Sequence, residues 1–406
     1  MASNSSVHIP AGFNRLAWSN LAAQSAEQIA LAVSPIVAVL ALGAGAGATG
    51  LLQTAQTLPF LLFAIPAGVL ADRMSRRTLM AAAEGLRTVS LLAILLLTAT
   101  HALTLPLLAG LGLVGACGTV VFSVAGPALV PALVPREALI TANGRIELAR
   151  TVAFAAGPAL GGALVGATTG SAAFGLAMML SGLAVVFLIA VPEPDRAMRA
   201  RRHPWQELRE GAAFVFSHPL LRPIFVTQFV FNAAFFMLQA VYVPYAIHRL
   251  GLDATGVGLT LACFGAGMVL GALMARHVAR VLRFGVVIAI GPIAGLLAAV
   301  LMVTTIRVPS ALIAGAAFFL IGVGPILWVI STTTLRQAVT PRDLLGRVSA
   351  INIMATGARP VGAAAGALIG ALSGAEACLV VAAIGFLIQA IVILISPATR
   401  LAAQPG

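Results

Sequence analysis

Long apolar segments alternate with short polar stretches along the whole chain. A helix needs about 20 apolar residues to cross ~30 Å of hydrocarbon. The segments lack the alternation of apolar and polar residues typical of a membrane barrel, whereas a helix satisfies its own backbone groups in lipid. We therefore predict an all-α polytopic membrane protein with twelve transmembrane helices. The predicted segments are, in chain order, 15–41, 49–71, 78–100, 104–131, 141–167, 171–191, 220–247, 254–275, 284–305, 309–333, 346–372 and 375–395.

Composition agrees with a membrane location, because 60% of the residues are hydrophobic and only 9% are charged. The mean hydropathy of +1.04 is too high for a domain that must carry a polar surface. All 24 basic residues are arginine; with both termini inside, eighteen fall in inside loops or at inside helix ends, whereas Arg249 and Arg307 fall outside. This bias predicts that both termini are cytoplasmic. The all-arginine, Ala- and Gly-rich composition points to a GC-rich bacterium, so we expect a multi-pass protein of a bacterial inner membrane. The N-terminal residues lack the pattern of a cleaved signal peptide, so we expect segment 1 to be retained.

Part of the sequence repeats at an offset of 203 residues, half of the chain length. The stretch GVLADRMSRR (68–77) recurs as GALMARHVAR (271–280), with one glycine, one leucine and two arginines in common. A second pair of stretches, 135–158 and 341–360, shares a Pro-Arg-acid opening, a Gly-Arg pair and a later proline. The repeat predicts two six-helix halves of parallel topology.

The predicted halves are an N-terminal six-helix bundle at 1–192 and a C-terminal six-helix bundle at 220–406. An inside linker at 193–219 joins them, and its second part has the apolar spacing of an amphipathic helix. We expect this helix to lie on the inner membrane surface; a plain hydrophilic tether is the alternative. Its apolar side carries Trp205, Leu208, Ala212 and Phe216.

The motif GVLADRMSRR resembles the signature loop of the major facilitator superfamily, Gly-x-Leu-Ala-Asp-Arg-x-Gly-Arg-Arg, with Ser75 at the place of a glycine. The resemblance implies two helical bundles that rock about a central site and expose it to each side in turn. It also implies an inside latch between the bundles, with Asp72 as its acid and Gly68 allowing close helix contact. The C-terminal copy has Ala275 in place of the acid, which leaves its role open, and the charges could instead anchor a turn. The other residues of this inside latch motif are Arg73, Arg76, Arg77, Arg276 and Arg280.

Segment 5 resembles the antiporter motif of the same superfamily and matches five of its six fixed positions, with Ala153 replacing a glycine. This resemblance implies export in exchange for protons. A proline bends a helix by removing a backbone hydrogen bond, and glycines let a neighbouring helix approach closely. We expect Gly267 and Gly271 of segment 8 to supply the facing surface; ordinary packing of small residues is the alternative. The matched motif residues are Gly144, Gly157, Pro158, Gly161 and Gly162.

Similarity to the enterobactin-exporter and macrolide-efflux branch of the superfamily extends along nearly the whole chain. It includes SAEQIALAVSPIVAV in segment 1, ELREGAAFVFSHPLLR in the linker and LLGRVSAINIMATGARPVG in segment 11. Segment 1 of that branch usually carries Gly-Asp where this chain has Ala26 and Glu27, so an acid is retained.

Three acidic residues in the membrane segments are candidates for proton coupling, because an ionisable group inside a membrane helix is costly and is a functional hypothesis by default. Glu27, near the middle of segment 1, could take up a proton on one side and release it on the other. It could instead bind substrate or form a structural hydrogen bond. Glu84 and Glu147 each precede an arginine by three residues, which predicts local ion pairs with a structural role, proton relay being the alternative.

Polar residues form one stripe on segment 1 and another on segment 7, at alternating spacings of three and four residues. Because these segments occupy corresponding places in the two repeats, we expect the stripes to face each other across a central cavity. Segment 7 also carries aromatic rings, which suit ring-bearing ligands but also pack in lipid. Arg359 has no acidic partner nearby in sequence and could anchor an acidic substrate. The predicted cavity residues are Asn20, Gln24, Glu27, Gln228, Asn232, Phe235, Gln239, Tyr242 and Arg359.

These features predict a secondary active transporter that exports a small amphipathic compound, drug-like or siderophore-like, by proton antiport. A lipid or lysophospholipid flippase of the same fold is the alternative, and an uptake symporter agrees less well with the antiporter motif. The sequence shows no phosphate-binding loop, no nucleophile with a base and no metal-ligand spacing, so it does not predict an enzyme or a metal site. We expect no cofactor, with the proton gradient as the driving force. The expected partners are the small-molecule substrate and the lipid bilayer, without nucleic acid, and the expected state is a monomer.

Overall fold

The computed structural model describes residues 10–63, 66–67, 70, 74–135, 138–192, 204–341 and 344–403, and helices dominate that part of the chain. This confirms the prediction of an all-α protein. Predicted segments 1–6 correspond to α1–α6 and segments 7–10 to α8–α11, while α7 belongs to the linker. Segment 11 covers α12 and the first part of α13, and segment 12 covers the rest of α13. The helices are α1 Ala11–Leu40, α2 Ala46–Leu62, α3 Arg76–Ala99, α4 Leu105–Leu133, α5 Leu139–Ala167, α6 Gly170–Ile189, α7 Pro204–Ser217, α8 Leu221–His248, α9 Ala254–Val281, α10 Phe284–Thr304, α11 Ala311–Val339, α12 Leu345–Met354 and α13 Ala358–Leu394.

Local sequence explains where several helices begin. Ser75 caps α3, since its hydroxyl oxygen accepts a hydrogen bond from the Thr78 backbone N–H at 3.1 Å. Asp253 caps α9 in the same way, at 2.7 Å from the Gly256 backbone nitrogen. Such side chains satisfy backbone donors that have no partner within the helix. The turn before α9 also needs a left-handed residue, which Gly251 supplies with φ of 66°.

Ten helices in the described part of the chain are long and apolar enough to cross a membrane. The last of these spans, Leu345–Leu394, joins α12 and α13 and is 50 residues long. It contains a non-helical glycine, Gly374, with φ of 82°. At ~1.5 Å per residue this length is more than twice what one crossing requires, and Gly374 falls between predicted segments 11 and 12. Helix α2, with 17 residues, is at the lower limit for a crossing. The prediction of twelve crossings stays a prediction.

Two groups of helices pack against each other, which we call the N-half (α1–α6) and the C-half (α8–α13). Within the N-half, α1 packs on α5 and α6, and α3 packs on α4 and α6. Within the C-half, α8 packs on α13, and α11 packs on α9 and α10. The halves meet where α5 contacts α9 and where α2 contacts α13 and α8. We call the end with α7 and residues 397–403 the linker face, and the end with residues 41–45 and 249–253 the loop face.

The linker helix forms as predicted, but its apolar side packs on protein. Leu208 and Ala212 belong to a cluster with Val348 and Ile351 of α12. Glu210 forms an ion pair with Arg347 of α12. Part of the apolar side of α7 is therefore covered by α12, and the expectation that this helix lies on the inner membrane surface stays a prediction. At the two ends of the predicted stripe, Phe216 is 47% exposed and the side chain of Trp205 lies outside the described residues.

Candidate functional site

An acidic residue on α1 and an ion pair on α3 meet inside the N-half. The Arg87 guanidinium binds the Glu84 carboxylate at 2.8 Å, which confirms the predicted local pair. It also lies 3.9 Å from the Glu27 carboxylate and donates to the Ala23 carbonyl oxygen at 3.3 Å. The Thr119 hydroxyl on α4 accepts a further hydrogen bond from Arg87. Arg87 therefore links α1, α3 and α4.

The three charges of this cluster differ in how far solvent reaches them. Glu84 is fully buried and accepts a hydrogen bond from the Ser181 hydroxyl at 3.0 Å. Arg87 is also buried, whereas the Glu27 side chain keeps 15% of its surface exposed. Protons therefore have more direct access to Glu27 than to Glu84. The third candidate, Glu147, pairs with Arg150 at 2.5 Å, and its side chain is 49% exposed.

A second charge lies in the C-half. Arg359, at the start of α13, stacks over the rings of Phe60 on α2 and Phe236 on α8, at 4.8 Å and 5.2 Å from their centroids. Its Nε donates to the Asn232 side-chain oxygen at 3.3 Å. Asn232 is oriented in turn, because its amide donates to the Gln228 backbone oxygen at 2.8 Å. Cation–π contact and a fixed amide thus hold this guanidinium between the two halves.

Glu27 of the N-half and Arg359 of the C-half carry opposite charges, and Arg359 reaches the N-half through its contact with the Phe60 ring. Within the described chain, the central site thus combines one partly accessible carboxylate of the N-half with a guanidinium of the C-half. A ligand that touches both side chains would bridge the two halves.

Aromatic rings extend from this site across the interface. Phe235 of α8 stacks on Phe231 at 5.8 Å and on Phe264 of α9 at 5.6 Å between ring centroids. Phe264 in turn contacts Phe154 of α5 at 5.9 Å, and Arg150 lies 5.6 Å from the Phe154 centroid. The site therefore offers ring faces next to positive charge.

The structure corrects one predicted cavity residue and places the others. Tyr242 is fully buried in the C-half core, where its hydroxyl donates to Thr260 at 2.6 Å and its ring packs edge-on against Phe318. The prediction that Tyr242 lines the cavity is wrong, because this end of the polar face of α8 packs against other helices of the C-half. Asn20 is buried, and its side-chain oxygen has no partner among the described residues. Gln24, Gln228 and Gln239 are partly buried.

Close contact between α5 and α9 forms one seam of the interface. A Cβ atom on Gly162 would lie 2.5 Å from the Ala254 carbonyl oxygen and 2.8 Å from the Gly258 Cα. One on Gly258 would lie 2.5 Å from the Pro158 carbonyl oxygen. Only glycine allows these backbones to approach so closely. The contact lies in the part of the seam nearer the loop face.

The predicted partner surface on α9 is wrong, because Gly267 and Gly271 face α11 within the C-half. Gly258 and Gly265 lie at the seam instead. In the antiporter motif, Gly157 and Gly161 pack on α1, against Gln28 and Val33 respectively. Gly144 has no atom within 4 Å of where its Cβ would be, so α5 is open near the linker face. The glycine contacts between α5 and α9 therefore lie in the middle of the seam and toward the loop face.

The proposed latch falls partly outside the described residues, which do not include Gly68, Asp72 or Arg73. Arg76 and Arg77 form the start of α3, and Arg77 donates to the Val191 backbone oxygen at 3.3 Å. The residues of the C-terminal copy, Arg276 and Arg280, are exposed in the last turns of α9. The latch role stays a prediction.

Sequence reasoning missed several partners in the central site. Phe60 carries no signal in the sequence, since it is one of many apolar residues in α2. The contact of Glu27 with Arg87 was also missed, because 60 residues separate them in the chain. The polar spacing of segment 7 did identify Asn232, although not its contact with Arg359.

Two packed helical halves with charged side chains near their interface are the architecture of a membrane transporter. The chain belongs to the Major Facilitator Superfamily, whose family model matches residues 16–363. It is therefore a polytopic membrane transporter and not an enzyme.

Curated relatives share about a quarter of their residues with this chain. The enterobactin exporter EntS of Citrobacter koseri is 27% identical over 291 residues, which cover 70% of this chain and 67% of that protein. The enterobactin exporter EntS of Salmonella choleraesuis is 26% identical over 290 residues, with the same coverage.

Solved transporter structures share the fold at low sequence identity. A POT family transporter in complex with 5-aminolevulinic acid has a TM-score of 0.75 at 13% identity, covering 96% of this chain and 97% of its own. A bacterial homologue of the iron transporter ferroportin in an inward-facing state has a TM-score of 0.73 at 16% identity, covering 94% and 98%. At such identities the likeness establishes the fold alone.

Proposed function

We propose that this protein exports a small, ring-bearing amphipathic compound across the bacterial inner membrane in exchange for protons. The observation that carries the proposal is Glu27, a partly accessible carboxylate inside the N-half that lies 3.9 Å from the buried Arg87 guanidinium. Export agrees with the similarity to the enterobactin exporters EntS and with the antiporter motif of α5.

The chemistry of the site suits a neutral or weakly acidic ligand that carries hydroxyl or amide groups on a ring. Its donors can bind the Glu27 carboxylate, and an acceptor on it can bind the Arg359 guanidinium. Phe60, Phe236 and Phe235 supply faces on which a ring can stack. A drug or a siderophore with phenolic rings meets these requirements.

Proton exchange follows from competition for Glu27. A deprotonated Glu27 accepts hydrogen bonds from the substrate, whereas a proton on Glu27 removes the negative charge and one acceptor. Substrate and proton therefore exclude each other, which is what antiport requires. Arg87 stays paired with Glu84 whether or not Glu27 is protonated, so protonation of Glu27 does not leave Arg87 without an acidic partner.

Everted membrane vesicles with an acidic interior test this function. Drugs, dyes and phenolic siderophores are added outside one at a time, and interior pH is followed by fluorescence. We expect one class of compound to alkalinise the interior of vesicles with the wild-type protein, and Glu27→Gln to abolish this response. Glu376→Gln is the matched control, because this carboxylate is paired with Arg249 at 3.0 Å and its side chain is 48% exposed.

Two results would contradict the proposal. An undiminished pH response in Glu27→Gln would remove Glu27 from proton coupling. Translocation of a fluorescent lysophospholipid by the purified protein, together with no pH response to any soluble compound, would favour lipid flipping.

A further inference from the structure

A groove lies at the linker face of the C-half, separate from the central site. It has a volume of about 500 Å³ and is bounded by the last turns of α9, the start of α10, the adjacent part of α11 and residues 402–403. Its polar positions are Arg280, Ser331 and Thr334. None of the residues that contact Glu27 or Arg359 lines it.

The groove occupies the place of the repeated latch motif. At the positions that correspond to Asp72 and Arg76 of the first copy, the second copy has Ala275 and Ala279, and both alanines line the groove. Arg280 corresponds to Arg77 and is retained. The second copy has thus exchanged two charged side chains for small ones and kept a guanidinium beside the space.

The charged residues between positions 254 and 342, the stretch that contains Arg280, are all arginines. No Asp or Glu occurs between positions 254 and 342, whereas Arg276, Arg283 and Arg336 do occur there. Within the part of the chain that the structure describes, Arg280 is exposed and forms no hydrogen bond or ion pair. An anionic ligand would therefore complement this groove.

Apolar surface accompanies the charge. Leu282 and Ile330 line the groove and are 39% and 43% exposed, next to the half-buried Phe284. The groove lies where α9 ends and α10 begins, at the ends of two helices that are long and apolar enough to cross a membrane. Basic pockets between membrane helices on the cytoplasmic side are suited to lipid head groups. A ligand with one phosphate and an alkyl chain matches both surfaces.

We propose that this groove binds an anionic phospholipid, with Arg280 contacting the phosphate and Leu282 and Ile330 contacting an acyl chain. The site is independent of the transported substrate. Its ligand is a structural or regulatory lipid of the leaflet at the linker face.

Binding of phosphatidylglycerol to the purified full-length protein in detergent tests the site, measured by native mass spectrometry against phosphatidylcholine. We expect tighter binding of phosphatidylglycerol, and about fivefold weaker binding for Arg280→Gln, the effect of one arginine near an anionic lipid surface. Ala275→Asp, which restores the acid of the first copy, should weaken binding further. Arg307→Gln is the matched control, because Arg307 is exposed near the loop face.

Each other outcome would overturn the proposal. Equal affinities of Arg280→Gln and Arg307→Gln would exclude Arg280 as the anchor, and equal binding of phosphatidylcholine would exclude charge recognition. Displacement of the lipid by millimolar inorganic phosphate would identify a site for a soluble phosphate instead. Arg280 and Arg307 are both exposed, so the comparison does not depend on whether Ala275→Asp folds.

Discussion

Replacing Gly162 by alanine tests how the two halves close near the loop face. The new Cβ would lie 2.5 Å from the Ala254 carbonyl oxygen, 2.8 Å from the Gly258 Cα and 3.0 Å from its nitrogen. All three atoms are backbone, so a change of side-chain rotamer cannot relieve the contact. Helices α5 and α9 must separate, and Gly162→Ala therefore disfavours the closed seam.

The size of the effect follows from the cost of overpacking. One extra methyl group in a tightly packed site costs about 1–3 kcal/mol. This cost is present only while α5 and α9 are in contact, so it shifts the equilibrium toward a conformation open at the loop face. The shift amounts to roughly 5-fold to 150-fold in the ratio of the two populations.

Distances between two spin labels, measured by double electron–electron resonance, can detect this shift in population. Spin labels at Thr168 and Arg307, after replacement of the native cysteines, report the separation of the halves at the loop face. We expect Gly162→Ala to add a population at longer distance. Gly110→Ala is the matched control, because nothing lies within 4 Å of its new Cβ. A folded Gly162→Ala protein with the wild-type distance distribution would refute the assigned seam.

Two further substitutions, one of them with a control, test an ion pair of the N-half and the contact of the linker helix with α12. Glu84→Gln leaves the buried Arg87 without its 2.8 Å partner and should lower the free energy of unfolding by about 3–5 kcal/mol, seen as a lower Tm in detergent. The exposed pair of Glu147 should contribute only about 0–1 kcal/mol, so equal losses from Glu147→Gln would contradict this ranking. Gly211→Leu places a Cβ 2.7 Å from the Arg347 backbone oxygen, should displace α7 and should speed cleavage of the linker by trypsin. An unchanged cleavage rate would mean that α7 is held elsewhere.

The sequence predicts the helices of this protein well because the membrane imposes their length and composition. It also predicts interactions within one helix, such as Glu84 with Arg87, since residues three apart share a face. Contacts between helices are harder to predict. The seam shows this: both Gly258 and Gly267 lie on α9, but their directions differ and only Gly258 faces α5.

The central site shows the same limit. Polar residues in apolar helices identified Glu27, Asn232 and Arg359 one by one, because such residues are rare in lipid. Their grouping depends on the packing of α1, α8 and α13, which the spacing along one helix does not specify. Tyr242 illustrates the error, since a regular stripe on α8 enters the C-half core at its end near the loop face.

Uphill transport driven by a proton gradient tests the proposed function most directly. A radiolabelled compound selected by the pH response is added to everted vesicles with an acidic interior and no other energy source. We predict that the wild-type protein accumulates it above the external concentration, that a protonophore releases it, and that Glu27→Gln only equilibrates it. Equal accumulation by Glu27→Gln and the wild-type protein, or mere equilibration by both, would contradict proton-coupled export through this site.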